Sequence, residues 1–261
     1  MKIERTVTID GTEYGIVISD ETEALLAAKA AGRAIIGLLE AEEECVIQEA
    51  MDSVGARCCQ KREERDLSAA SYLVESLDDV DELLVEQVVR RYLGLPWIIA
   101  ETDRLIIREF QVEDAELVLR EETDTEADRI FYDSELLAEY IRCQYGFYEY
   151  GIWALIEKAS GRLVGKAGLS NPESTEVEAE DQVVLELGYH IFQPYRRQGY
   201  AVEACQAILQ YAGEQWDDCR IYAKIDASNE ASICVAKACG FTPPDQACNG
   251  ALRYSYPCER Y

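Results

Sequence analysis

The sequence predicts an α/β (α+β) protein in two parts: a small α/β domain over residues 1–97 and a larger domain over residues 98–261. Three observations carry this prediction. Short apolar runs of strand type alternate with helical patterns from early in the chain. The helical pattern ending at Gly94 runs into Pro96, and the residue before a proline is pushed out of the helical region. Beyond Asp103 the alternation restarts, and 261 residues suffice for two such units.

In the first part, "EYGIVIS" (Glu13 to Ser19) predicts a strand and "DETEALLAAKAAG" (Asp20 to Gly32) a helix, with acids in its first turn and glycine at its end. "RAIIGLL" (Arg33 to Leu39) reads as a strand, "CVIQEA" as either type, and "ASYLVES" (Ala70 to Ser76) as a strand. "LDDVDELLVEQVVRRYLG" (Leu77 to Gly94) is amphipathic and predicts one helix. Strand, helix and strand in short succession imply a unit with parallel strands.

"LPWIIAETD" (Leu95 to Asp103) reads as the boundary. After it, "RLIIREF" (Arg104 to Phe110) alternates as a half-buried strand, and "QVEDAELVLREE" opens as a helix with acids near its start. "YGIWALIEKASGRLVGKAGLS" (Tyr150 to Ser170) predicts a hairpin turning at Ala159, Ser160 and Gly161. "DQVVLELGYHIF" (Asp181 to Phe192) is a strand, Gly199 to Glu214 a helix, and "CRIYAKID" (Cys219 to Asp226) a strand. "NEASICVAKACGF" (Asn229 to Phe241) is a helix and "ALRYSYP" (Ala251 to Pro257) a last strand.

Composition narrows the function. The formal net charge of −26 repels nucleic acid and attracts cationic substrates, although charge for solubility alone explains it as well. No apolar run approaches bilayer length, and "MKIERTVTIDGTEYG" lacks the apolar stretch of a signal peptide, so the expectation is a soluble cytoplasmic protein without a membrane partner. Ten cysteines include the lone pair Cys58–Cys59 and the scattered Cys205, Cys219, Cys234, Cys239, Cys248 and Cys258. No CxxC occurs and His190 is the only histidine, so no metal is expected and the cysteines read as reduced, small side chains. Acidic clusters such as "EAEEE" (Glu40 to Glu44) read as a solvated face.

The strand–loop–helix from Leu185 onward carries the strongest chemical signal. Its loop, "QPYRRQGYA", leads into a helix whose first backbone N–H groups have no intrahelical partner. Those donors and the helix dipole favour an anion. Gly199 lets phosphate oxygens approach the backbone, Ala201 keeps the first turn uncluttered, and Arg196 and Arg197 add charge-assisted contacts. The same residues also fit a surface turn with two solvated arginines. Other phosphate loops fit poorly: no G-x-G-x-x-G follows a strand, and "GRLVGKA" (Gly161 to Ala167) lacks one spacer and the Ser/Thr of a P-loop.

From about Thr102 to the end the chain resembles the GNAT superfamily of N-acetyltransferases, and within it the branch that includes the ribosomal-protein alanine acetyltransferases. "ETDRLIIREFQVEDAE" resembles that branch's first strand and helix, and "GRLVGKAGLS" its central hairpin. Arg196, Gly199 and Ala201 match the Arg/Gln-x-x-Gly-x-Gly/Ala loop, and Asn229, Ser232, Gly240 and Phe241 the later N-x-x-S…G-F pattern. The resemblance implies a GNAT fold with a splayed sheet and acetyl-CoA as cosubstrate, its pyrophosphate held by Arg196, Arg197, Gln198, Gly199, Tyr200 and Ala201. Tyr189, His190, Ile191 and Phe192 would pair with the pantetheine arm as an added strand does. A backbone N–H at Leu187 or Gly188 would polarise the thioester carbonyl. Asn229 and Ser232 would face the coenzyme.

Glu186 would act as the base for the amine acceptor, directly or through water, or stand as an exposed strand-face acid. Asn229 would hold a water, contact the coenzyme or cap its helix. The family's thiolate-protonating tyrosine falls at Ala236, which leaves Tyr189 and Tyr254 as nearby phenols and keeps a second reading open: a non-catalytic acyl-CoA-binding sensor. His190 reads as a packing or hydrogen-bonding side chain. The expected activity is acetyl transfer to a primary amine on a protein N-terminus, a polyamine or a small molecule, with the net charge favouring a cationic acceptor. In the first part, "IVISDETEALLAAKAAGRAIIG" distantly resembles a strand–helix–strand segment of haloacid-dehalogenase-type phosphatases. "TIDGTEYG" does not supply their Asp-x-Asp-x-Thr/Val nucleophile, so this part reads as a degenerate module for binding or homodimer formation.

Overall fold

A computed structural model describes residues 1–39, 66–122, 124–172, 183–216, 219–244, 246–248 and 251–256. "EAEEE", "CVIQEA", Cys58–Cys59, Asp181, Gln182, Pro257 and Cys258 lie outside the described residues. The chain divides into two compact units, Met1–Leu95 and Pro96–Tyr261.

The first unit orders β1 (Lys2–Ile9), β2 (Thr12–Ser19), α1 (Thr22–Ala30), β3 (Ala34–Leu38), β4 (Tyr72–Val74) and α2 (Glu82–Tyr92) into a four-stranded sheet, β1-β2-β3-β4. β2, β3 and β4 are parallel, as expected, but β1 adds an antiparallel edge. Ile9 pairs with Thr12, so Asp10 (φ 50°) and Gly11 (φ 79°) form a two-residue turn. That turn needs positive φ at both positions, which suits Asp-Gly. Ile16, Ile18 and Ile36 pack with Val85, Val88 and Val89 of α2, while Val17 and Ile35 pack with Leu25 and Ala28 of α1. Burial on both faces explains the unbroken apolar runs of β2 and β3. The single helix expected over Leu77–Gly94 is two pieces. Ser76 and Asp79 close a capping box around a 3₁₀ turn at Leu77–Asp79. Asp81 then accepts from the Leu84 amide at 2.7 Å and starts α2 afresh.

The second unit continues with β5 (Ile98–Glu101), β6 (Leu105–Arg108), α3 (Ser134–Tyr140), β7 (Ile152–Glu157), β8 (Leu163–Ser170), β9 (Val183–Ile191), α4 (Tyr200–Gln215), β10 (Cys219–Asp226), α5 (Glu230–Ala238), β11 (Gln246–Cys248) and β12 (Ala251–Tyr256). Its eight-stranded sheet has the order β11-β12-β10-β9-β8-β7-β6-β5. Only β9 and β10 run parallel, and α4 is the crossover between them. Such a connection needs a long segment, which the 16 residues of α4 supply. Ala204, Cys205, Ile208, Leu209 and Ala212 give α4 its buried face.

The two units meet at Leu95 and Pro96, within the stretch read as a boundary, and β5 occupies the rest of it. One expectation is corrected here. The segment "QVEDAELVLREE" is helical only as a 3₁₀ turn at Val112–Glu116. Asp114 caps that turn through the Gln111 amide and takes both guanidinium nitrogens of Arg108 at 2.7 and 2.9 Å. Leu117 and Leu119 are left exposed, so no buried apolar stripe carries the helix onward. Of the cysteines, Cys143, Cys205, Cys219, Cys234 and Cys239 are free thiols among the described residues.

Lys166 of β8 is buried, with its Nζ 2.6 Å from Asp128 Oδ1 and 4.1 Å from the Phe131 ring centroid. Burial alone would raise the Asp128 carboxyl, but hydrogen bonds from Lys166 and Thr125 outweigh it and hold the group at about 2, below its ordinary 3.8. A depressed carboxyl stabilises the fold fully above its unfolded value and loses that contribution as pH falls through the folded one. Asp128→Asn is therefore expected to cost about 1–2 kcal/mol at pH 7, discounted for the partial exposure of the carboxylate. Urea unfolding checks this: the deficit should narrow between about pH 4 and pH 2, whereas a pH-independent deficit would contradict the assignment.

Candidate active site

β9 parts from its parallel neighbour midway. Its pairing with β10 runs from Val183↔Cys219 to Glu186↔Tyr222 and stops, although β10 continues to Asp226 against β12. On its other side β9 pairs with β8 without interruption from Glu186↔Ser170 to Ile191↔Gly165. In an antiparallel ladder each residue directs its N–H and C=O to one side, and successive residues alternate. The Phe192 amide donates to the Val164 carbonyl at 3.0 Å, on the β8 side. The backbone groups of His190, Gly188 and Glu186 follow the same parity. Those of Leu187, Tyr189 and Ile191 face the gap that β10 has left.

This parity sorts the expected coenzyme contacts. Leu187 and Tyr189 present backbone toward the gap. Gly188, His190 and Phe192 present theirs to β8. The Ile191 carbonyl also faces the gap but accepts from Arg196 Nε at 2.8 Å.

Past Phe192 the chain makes a 3₁₀ turn at Gln193–Tyr195 and enters α4 through two left-handed residues, Arg197 (φ 66°) and Gly199 (φ 86°, ψ 0°). Gly199 is the N-cap of α4, and among the described residues no side chain caps that end. Amides at a helix start have no intrahelical acceptor, and a left-handed residue followed by a helical one turns successive N–H groups into one concavity. Ala201 is the second helical residue.

The loop is braced from both flanks. Arg104 donates from Nη1 to the Gln198 carbonyl at 2.8 Å, stacks 4.7 Å from the Tyr200 ring centroid and pairs with Glu203 at 2.5 Å. Glu203 also accepts from Thr102 Oγ1 at 2.6 Å and from the Arg104 amide at 3.0 Å. On the opposite flank Glu121 accepts from the Gln193 amide at 2.6 Å, contacts Arg196 and lies 3.5 Å from His190 Nε2. Burial alone would raise the Glu121 carboxyl, but the Gln193 amide, His190 and Arg196 together hold it below its usual value.

Three of the expected loop residues have partners of their own. The Arg196 guanidinium is engaged by Glu121 and the Ile191 carbonyl rather than projecting into the loop as a loose cation. The Tyr200 hydroxyl donates to Glu157, so only its backbone faces the loop. A Cβ on Gly199 would meet Arg104 Nη2 at 3.3 Å, so the room beside this glycine is bordered by a guanidinium. Arg197 is exposed and enters no ion pair among the described residues. Arg104, Glu121 and Glu203 had no local signal: Glu121 lies 72 residues from Gln193, Arg104 94 from Gln198 and Glu203 101 from Thr102.

Glu186 stands at the last register pair before the strands part and is half-buried. Asn229 is the N-cap of α5, its Oδ1 accepting from the Ser232 amide at 3.0 Å. The capping role weighed for it is thus present. The Tyr189 hydroxyl donates to the Ser232 carbonyl at 3.3 Å, and burial pushes its pKa up to about 12. Tyr254 is buried opposite Ala223, and Ala236 is buried on α5. His190 lies among Glu121, Arg196 and Phe192, whose ring centroid is 5.8 Å away. Among the described residues no three His, Cys, Asp or Glu side chains are grouped to hold a metal, and no helix is long and apolar enough to cross a membrane.

The mixed sheet thus splits beside a left-handed helix entry, which sets an open strand edge next to a run of backbone donors. The family model described as an acetyltransferase (GNAT) domain matches residues 104–242. The chain belongs to this family, which uses acetyl-CoA. A curated relative, the uncharacterized protein YkkB of Bacillus subtilis (strain 168), is 32% identical over 93 residues, 36% of this chain and 51% of that protein, so the match spans about half the relative's length. Solved structures of similar fold include a GNAT-family acetyltransferase from Bacillus anthracis (21% identity, 61% of this chain and 98% of that one, TM-score 0.47). Another is the ribosomal-protein-S5-alanine acetyltransferase from Vibrio fischeri (16% identity, 62% and 96%, TM-score 0.46).

Proposed function

We propose that the protein is an acetyl-CoA-dependent N-acetyltransferase that acts on a primary amine by direct attack in a ternary complex. One observation carries this reading: the strand edge at Leu187 and Tyr189 opens toward the gap, and the same strand leads into the uncapped start of α4. These groups suit the ligand's parts. The amides from Gly199 to Val202 and the Arg197 guanidinium would hold the diphosphate. Leu187 and Tyr189 would pair with the amide-bearing arm as a strand edge does.

Bound acetyl-CoA supplies an acetyl group activated as a thioester. Toward it the Leu187 N–H would stabilise negative charge growing on the carbonyl oxygen. Glu186, paired with Tyr222 in the register and next to Leu187 along β9, would take the proton that the amine must lose, directly or through one water. As the new C–N bond forms and the C–S bond breaks, the sulfur would leave as the thiolate or take a proton from a neighbouring group. The Tyr189 hydroxyl stays protonated at neutral pH, but its hydrogen bond to Ser232 and its burial fit packing equally. Asn229 would orient a water from its Nδ2 while capping α5.

The net charge of −26 favours a cationic acceptor, a polyamine or a basic N-terminus, over an anionic one. The buried Ala236 supports a second reading, a sensor that binds acyl-CoA without turnover. Incubation with acetyl-CoA and a panel of polyamines, peptides and small amines, with free thiol followed over time, separates the two. Amine-dependent thiol release is expected; coenzyme binding without release on any amine would favour the sensor.

A further inference from the structure

We infer that Glu121 is the positioning residue that sets the coenzyme loop, and that Arg196 serves as its strut rather than as a phosphate ligand. The inference rests on the coenzyme-binding reading above. Glu121 sits outside any regular helix or strand, and its own amide is tied to Asp124 Oδ2 at 2.9 Å, so the carboxylate is presented from a fixed backbone. Its side chain is only 11% exposed. From that place it holds the loop twice, by the Gln193 amide at 2.6 Å and by the Arg196 guanidinium.

Arg196 in turn donates from Nε to the Ile191 carbonyl at 2.8 Å and from Nη2 approaches His190 Nε2 at 3.5 Å. One carboxylate thus fixes the end of β9, the 3₁₀ turn and the residue just before the left-handed Arg197. The groups facing Glu121 are Gln193 and Arg196 from the loop and His190 from β9. Because Arg196 is neutralised by Glu121, the charge offered to an incoming anion comes from Arg197 and the α4 amides. A preorganised loop binds without first spending free energy on ordering itself, so loss of the anchor weakens binding more than chemistry.

The test uses the full chain and coenzyme A as the probe. Glu121→Ala is expected to raise the calorimetric Kd for coenzyme A and the KM for acetyl-CoA roughly tenfold or more, with kcat changed less than about threefold, since charge-assisted hydrogen bonds to the loop are lost. Glu121→Gln, which can still accept from the Gln193 amide, should fall between the two. Arg196→Ala should weaken binding similarly, and the double variant should add little, because both remove one coupled unit. Additive losses, or unchanged affinity in a folded Glu121→Gln or Arg196→Ala, would overturn the inference. Failure of the wild type to bind coenzyme A would instead remove the functional reading itself.

Discussion

Gly199→Val is expected to raise the Kd for coenzyme A by about one to two orders of magnitude, with a smaller loss of stability. Two physical effects act together. Gly199 has φ 86°, a left-handed conformation that L side chains adopt at a cost and β-branched ones least of all. The residue before and the first helical residue after it hold the amides that must converge on an anion, so relaxing φ at this point disperses them. A Cβ would also stand 3.3 Å from Arg104 Nη2, and Val adds two methyl groups to it. Arg104 would have to leave the Gln198 carbonyl or the Tyr200 ring, loosening the flank that it braces. Gly199→Ala should show the backbone effect with less crowding and so a smaller loss. Calorimetry with coenzyme A measures the affinity and thermal unfolding the stability; a Val variant with wild-type affinity would remove the loop from the coenzyme site.

Glu186→Gln is expected to lower turnover by about 10²–10⁴-fold, with the deficit growing as pH falls from about 8 to 6. An amine below its own pKa is mostly protonated, and the free fraction drops tenfold for each pH unit. A carboxylate at the attack site relieves that limit by accepting the proton as the bond forms; a carboxamide cannot. Glutamine keeps the shape of the side chain at the Glu186↔Tyr222 and Glu186↔Ser170 positions, so the strands and the coenzyme edge remain. The KM for acetyl-CoA should therefore change little. A pH–rate profile identical to that of the wild type would exclude Glu186 as the base.

How much of this was legible in the sequence depends on the distance over which each feature is decided. β10 and the hairpin of β7 and β8 carry their own period and turn residues, and periodicity found them. The loop before α4 was legible for the same reason, since Gly199 announces a backbone that few other residues tolerate. β1 alternates polar and apolar residues at an edge, and its Asp10–Gly11 turn was a local signal passed over. The helix expected after Gln111 failed because Asp114 is claimed by Arg108 and Gln111, a competition that propensity does not register. α3 and the wide helical turn following it at Ile141–Tyr148 rest on tertiary support: the Tyr140 hydroxyl accepts from the Ile152 amide at 2.7 Å, and Tyr145 is wholly buried. The braces of the loop were invisible for a deeper reason. Glu121, Arg104 and Glu203 are ordinary surface-type residues in sequence and acquire a role only when strands far apart in the chain are laid side by side.

The central claim is that the amides following Arg197 grip a diphosphate, and a pair of calorimetric titrations tests it most directly. The full chain is titrated with coenzyme A and, separately, with pantetheine, which shares the arm but has no diphosphate. The account predicts one-to-one binding of coenzyme A in the micromolar range and pantetheine weaker by roughly a hundredfold or more, the value of several charge-assisted hydrogen bonds. Equal affinity for the two, or no binding of coenzyme A, would contradict it.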